Sequence, residues 1–230
     1  RRAAGVFRGR DPRATIAGTT GFLAVNSGVA YRTLFGYTDA TGRVHLGAPS
    51  QREVVVNPPA STVAAGSLVR TGGTTVTGTT TTPHGFYAGQ TVTLGAGEAN
   101  FAAGNKTLTA VTPLTFTYTE AGANVASANP ETFTPTSGDV TIIVPIPALD
   151  VNGGPMTAGY WFAQTYRTAT VTPASVDPGD DQQLVHEHIL TAAEMVAGSF
   201  SFTDRVGDGG RADQLYTNRL VEGIGQANDP

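Results

Sequence analysis

His186 and His188, flanking Glu187, are the residues best suited by type and spacing to hold a metal. Alternate side chains of a strand share a face, so the two imidazoles would stand side by side, and imidazole suits zinc or copper. The sequence places no third ligand beside them. Leu184 and Leu190 fall on the same face at period 2, so the pair reads as the cap of a half-buried sheet surface. Asp204, Asp208 and Asp213 share a stretch with Gly207, Gly209 and Gly210, the materials of a calcium loop. Their spacing misses the D-x-[DN]-x-[DN]-G pattern that such loops use. The cluster from Asp177 to Asp181 reads the same way. His84, between Pro83 and Gly85, reads as a turn histidine bonded to its own backbone. Acids are numerous, but nothing sets two of them across a cleft as a glycosidase requires. No G-x-S-x-G or P-loop motif occurs, and there is no cysteine. The expectation is no catalytic residue, no metal and no cofactor: not an enzyme.

These residues must be carried by strands. Of 230 residues, 35 are threonine and 29 glycine, and only 14% are charged. Threonine and glycine with few lysines or glutamates favour strands and turns over helices. A helical bundle, a coiled coil and any span of about 20 apolar residues are excluded. Tyr31, Thr33, Phe35 and Tyr37 alternate with Arg32, Leu34 and Gly36, which predicts a strand over Val29–Thr38. Further strands are expected at Ala14–Ile16, Val44–Leu46, Arg52–Asn57, Thr91–Leu94, Thr107–Val111, Leu114–Thr119, Val140–Val144, Gln183–Leu190 and Ser199–Thr203. The strand Tyr160–Thr168 should set Tyr160, Phe162 and Tyr166 on one face and Trp161 on the other. Such aromatic stripes read as core rather than as a sugar platform. Asp150–Pro155 reads as a turn. Thr191 with Glu194 three residues on has the form of a capping box, for one helical turn.

Composition shifts near residue 60, where threonine and glycine take over. Phe101, Leu108, Val111, Leu114, Phe116 and Tyr118 can fill a small core of their own. The organisation expected is a basic arm over 1–13 and a sandwich built from 14–65 and 137–204. A small β-module over 66–136 is inserted in that sandwich, and an extended exit segment covers 205–230. Residues near 60 and 137 should then lie close together. The missing initiating Met suggests a trimmed chain or a piece of a longer one, and no apolar signal segment follows the first residues.

Tyr31-Arg32-Thr33-Leu34-Phe35-Gly36-Tyr37-Thr38-Asp39 through Leu46-Gly47-Ala48-Pro49-Ser50 resembles the middle strands of a fibronectin type III or related Ig-like domain. Trp161-Phe162-Ala163-Gln164-Thr165-Tyr166-Arg167-Thr168 resembles a later strand of that family. Thr82-Pro83-His84-Gly85-Phe86, with Gly89-Gln90-Thr91-Val92, Phe101, Gly104 and Phe116-Thr117-Tyr118, is similar to a small β-module of tailed-bacteriophage virion proteins. Leu215-Tyr216-Thr217-Asn218 and the Glu222 to Asn228 stretch look like a segment of large phage tail proteins, where more domains usually follow. The resemblance implies an all-β, fibronectin-III/Ig-like sandwich in a structural tail protein: nozzle, hub or fibre part. A glycan- or receptor-binding adhesin module is the alternative, followed by an accessory β-domain of a secreted glycoside hydrolase.

Charge is distributed unevenly. Residues 1–60 carry +5, residues 61–136 carry −1 and residues 137–230 carry −8. Such a split can steer copies head to tail. Arg8, Arg10 and Arg13 of one copy are expected to meet Asp204, Asp208 and Asp213 of the next. Both ends would become ordered only on a neighbour. Five arginines in the first thirteen residues could also touch phosphates, but only Phe7 is interleaved as a stacking aromatic, so nucleic acid is not expected. The partners expected are further copies and other tail proteins, with host-surface glycan for the alternative and no membrane span. The place is the virion, after assembly in the host cytoplasm, where a chain without cysteine is at home.

Overall fold

The computed structural model describes residues 6–95, 98–148 and 156–215. The expected turn at Asp150–Pro155, the exit segment beyond Leu215 and the first two arginines lie outside the described residues.

The protein is all-β, with antiparallel sheets. The first run of strands is β1 (Arg13–Ala17), β2 (Ser27–Thr38), β3 (Val44–Leu46) and β4 (Glu53–Asn57). The second run is β5 (Ser61–Val63), β6 (Leu68–Thr71), β7 (Thr75–Thr79), β8 (Thr91–Leu94), β9 (Gly104–Val111), β10 (Thr115–Thr119), β11 (Val125–Ala126) and β12 (Glu131–Pro135). The third is β13 (Asp139–Pro145), β14 (Trp161–Thr168), β15 (Gln182–Ile189) and, after a helix α1 (Ala192–Ala197), β16 (Ser199–Asp204).

The first and third runs build a sandwich. One sheet has the order β1-β13-β16; the other has β15-β14-β2, with β3 and β4 both pairing with β2. Val29, Tyr31, Phe35, Val140, Ile142, Val144, Trp161 and Phe200 form the core between them. The inward set on β2 follows the period-2 pattern of the sequence. The second run makes an eight-stranded sheet, β11-β6-β7-β10-β9-β8-β12-β5, over a separate core of Leu68, Val76, Leu94, Phe101, Phe116, Tyr118 and Phe133. Its threonine-rich stretch is the β6–β7 hairpin, turned by Gly72 and Gly73 at positive φ. Glycine takes that conformation without the steric cost of a Cβ.

The chain leaves and re-enters the sandwich at one place. Asn57 Nδ2 donates to Leu23 O at 3.1 Å and to Thr136 O at 3.0 Å, and Leu23 bridges Gly138. The second sheet begins earlier than the shift in composition implies. β5 pairs with β12 at Ser61↔Phe133 and Val63↔Glu131, so residues 61–63 belong with the inserted strands and not with the sandwich.

Two further expectations need correction. Residues 6–13 are no detached arm. Val6 and Phe7 pack on the sandwich core, with the Phe7 ring 5.7 Å from that of Trp161, and Gly9 N donates to Ala48 O at 2.7 Å. A Cβ on Gly9 would fall 1.8 Å from Thr33 O, so this close backbone crossing requires glycine. Residues 205–215 are likewise held: Leu184 N donates to Asp213 O, and Leu215 N to Gln182 O. Leu215 fills a small cluster with Leu34 and Tyr166.

Candidate functional site

The histidine pair sits half-buried on β15, the end strand of its sheet, on the face toward β16. His186 is opposite Thr165 and His188 opposite Ala163, while Leu184 is opposite Tyr166. Val185 is therefore the extra residue of a β-bulge. The bulge reverses the alternation, so Leu184 packs with Leu34 and Tyr166 on the other face. The shared face predicted by simple period 2 is lost for that reason. The two imidazoles stack with centroids 5.9 Å apart; His186 lies 3.9 Å over Phe202 and His188 4.7 Å over Phe200. Burial, then the neighbouring His188, pushes the His186 pKa down. His188 Nε2 lies 2.9 Å from both oxygens of Glu194. That carboxylate also completes the capping box of α1 with Thr191. Burial raises the Glu194 carboxyl, but its hydrogen bonds from His188 and Thr191 outweigh burial and hold it below the usual range. Among the described residues, no three His, Asp or Glu side chains come together as a metal would need. The pair caps the core and ties α1 to β15.

Of the aspartates assigned to intersubunit contact, Asp204 faces inward, while Asp208 and Asp213 are exposed. Asp204 is 2% exposed. It accepts from Arg167 Nη1 at 2.7 Å, from Tyr31 Oη at 2.9 Å and from Val206 N at 2.9 Å. Asp208 accepts from Arg167 Nη2 at 3.1 Å and from Thr170 N at 2.9 Å. The guanidinium lies 3.9 Å over the Phe22 ring. A buried charge must be paired and hydrogen-bonded, and Asp204 and Asp208 do that for Arg167. Asp204 is thus withdrawn from any contact with a neighbour. Asp213 keeps an exposed side chain.

Part of the charge split is met within the chain. Arg52 makes a two-pronged contact with Asp177 at 2.6 and 2.8 Å, and Arg32 reaches Asp180 at 3.0 Å. The bond from Arg52, then that from Gly179 N, lowers the Asp177 carboxyl to about 2. Arginines of the first segment thereby hold the loop of the last, a need within one chain that the charge count does not reveal. Arg8, Arg10 and Arg13 are exposed and have no carboxylate at ion-pair distance among the described residues. Arg8 Nε donates to Pro49 O, and Arg10 O accepts from Thr33 Oγ1.

In the inserted module, His84 Nδ1 accepts from Phe86 N at 3.0 Å, so Nε2 carries the proton and faces Thr115 O at 3.4 Å. Its ring packs against Phe86 and Phe116. The sequence reading missed Arg70, 3% exposed, which donates to Glu120 Oε1, Asn100 O and Ala123 O over the Phe101 ring. Its being the sole arginine of the module was the available signal. Phe86, Phe101, Phe116, Tyr118 and Phe133 are all buried.

On β14 the faces divide as period 2 requires: Trp161 and Ala163 point into the main core, and Phe162 and Tyr166 point to the other face, where both are still buried and only Tyr160 of the stripe is exposed. On this outer face Val44 is 59% exposed, Leu46 41%, Tyr160 59% and Ile189 60%. Val44, Tyr160 and Ile189 border, with Phe162, a depression of about 250 Å³ that also touches Gln164 and Glu187. Phe162 lies across Gly36, where a Cβ would come within 2.3 Å of its Cζ.

Compared with protein families, curated proteins and solved structures, the chain matches none.

Proposed function

We propose that the chain is a structural module of a tailed-bacteriophage virion, part of the tail, that works by packing on further copies of itself and on neighbouring tail proteins. The carrying observation is the outer face of the sheet β15-β14-β2-β3, where Val44, Leu46, Tyr160 and Ile189 lie exposed and all but Leu46 border one depression with Phe162. Grouped apolar side chains on a sheet face are a contact surface for protein. The resemblance of the inserted module to virion β-modules gives the setting, and the cysteine-free chain suits assembly in a reducing cytoplasm.

The electrostatic part of the reading is narrower than the charge count implied. Arg8, Arg10 and Arg13 stay available to an acidic neighbour, and Asp213 is an exposed anion; Asp204 and Asp208 serve Arg167. The adhesin reading finds no support in the inserted module, whose phenylalanines are buried in its core.

Sedimentation velocity and negative-stain microscopy of the purified chain test this. Rings or stacks that form at low salt, and that Ile189→Asp abolishes while the fold persists, are expected. A monomer at every concentration, unaffected by that substitution, contradicts it.

A further inference from the structure

Two sheet edges are open on one side of the sandwich. Among the described residues, β1 ends its sheet with β13 as its one ladder partner, and β4 pairs with β2 alone. They run close together without pairing to each other. Between them is a groove of about 340 Å³, lined among others by Ala14, Ile16, Val54, Val55, Val56 and Tyr87. An edge strand presents a row of unpaired N–H and C=O groups, and proteins usually guard such edges with Lys, Pro or a bulge. β4, Glu53-Val54-Val55-Val56-Asn57, has no Lys and no Pro, and Val54 and Val56 are 43% and 38% exposed.

Two carboxylates, Glu53 and Asp11, stand toward the β4 end of the groove, and Asp11 borders a depression with Arg8 and Arg10. Glu53, which begins β4, is partly buried. Burial first, and then the nearby Asp11 carboxylate, raises its pKa. Among the described residues no cation lies within ion-pair distance of either. A partly buried carboxylate beside a second one is a poor arrangement for an isolated chain and a suitable one for a chain that receives a cation there.

We propose that this seam accepts an extended strand of another polypeptide, one that carries a cation followed by aliphatic side chains at alternate positions. Its main chain pairs with the open edge of β4, as in other cases of strand addition. Its aliphatic side chains enter the groove beside Ala14, Ile16 and Val55. Its cation lies between Glu53 and Asp11. The open edge favours a peptide over a small apolar molecule, which would leave the backbone groups unpaired. The inference does not depend on the virion reading, because the groove, the edges and the acids belong to one chain.

Hydrogen exchange of the full chain tests it with two acetylated probes, Arg-Val-Ala-Val-Ala-Thr and Glu-Val-Ala-Val-Ala-Thr, each at about 1 mM. The arginine peptide is expected to slow amide exchange over residues 53–57 about tenfold or more, and the glutamate peptide to leave it unchanged. Glu53→Gln combined with Asp11→Asn should weaken the arginine peptide about fivefold without lowering the melting temperature, because Asn can still accept from Gln51 N as Asp11 does. Absence of protection, equal protection by both peptides, protection confined to another part of the chain, or indifference to the double variant overturns the proposal.

Discussion

The Arg167 guanidinium stands 2.7 Å from the Asp204 carboxylate, and neither side chain has any exposure to solvent. The contact joins β14 of one sheet to the end of β16 in the other, with Tyr31 from β2 as a third member. Desolvation of both ions opposes much of their attraction, so such a pair is worth little against a well-packed apolar replacement. Removal of one partner is another matter, because it strands a charge in the core.

Asp204→Ala should therefore destabilise the protein by about 3–5 kcal/mol in urea or guanidinium unfolding. Arg167→Met combined with Asp204→Leu should recover most of that loss. A double variant no better than the single one would show that the pair contributes more than mutual neutralisation.

A glycine opposite a phenylalanine occurs both on the outer face of the sandwich sheet and in the core of the inserted module, with different surroundings. Phe162 pairs with Gly36 and Phe116 with Gly78. A Cβ would lie 2.3 Å from Phe162 Cζ in the first case and 2.5 Å from Phe116 Cζ in the second. Phe162 borders the outer surface and can swing aside, whereas Phe116 is enclosed by Phe86, His84 and Phe133. Gly78→Ala is expected to cost about 1–3 kcal/mol and Gly36→Ala distinctly less; equal losses in thermal unfolding would contradict this packing account.

Burial against Phe202, and then the neighbouring His188, lowers the His186 pKa. Its folded pKa lies below the unfolded value, so the unfolded chain takes up the proton first. Stability is then complete above about pH 6.5 and falls as pH drops from there toward the lowered folded value. His186→Leu should flatten that part of the pH–stability curve, read as urea midpoints from neutral to mildly acid pH.

Glu53 has the opposite sign. Its folded pKa is raised, so the folded chain holds the proton more tightly, and stability declines as pH rises from the unfolded value through the folded one. Glu53→Gln is expected to raise the melting temperature at pH 7 and to make no difference near pH 4 and below. A loss at pH 7 would mean that the carboxylate has a partner that stabilises it.

Strand positions were legible because threonine and β-branched residues alternate with glycine and proline breaks, as on β2, where Tyr31 and Phe35 point inward as period 2 requires. The placing of Leu184 was illegible: the bulge at Val185 is set by pairing with β14, a non-local event with no local residue signal. On β14 period 2 separated Trp161 from Phe162 and Tyr166, but both faces are apolar and buried, and the close approach of Phe7 and Tyr37 is what places Trp161 in the main core. Charge counting failed for a related reason. Arg52 with Asp177 and Arg167 with Asp204 are far apart in sequence, and net charge per segment records composition rather than contact. The apolar outer face was invisible beforehand because Val44, Leu46 and Ile189 come from strands that only the sheet brings together.

The most direct measurement is immunogold electron microscopy of phage particles from cells that encode this chain, with antibody raised against the purified protein. The account predicts gold confined to the tail, at a repeat number set by the symmetry of the assembly. Antibody that labels no particle, while the protein accumulates free of virions, would contradict it.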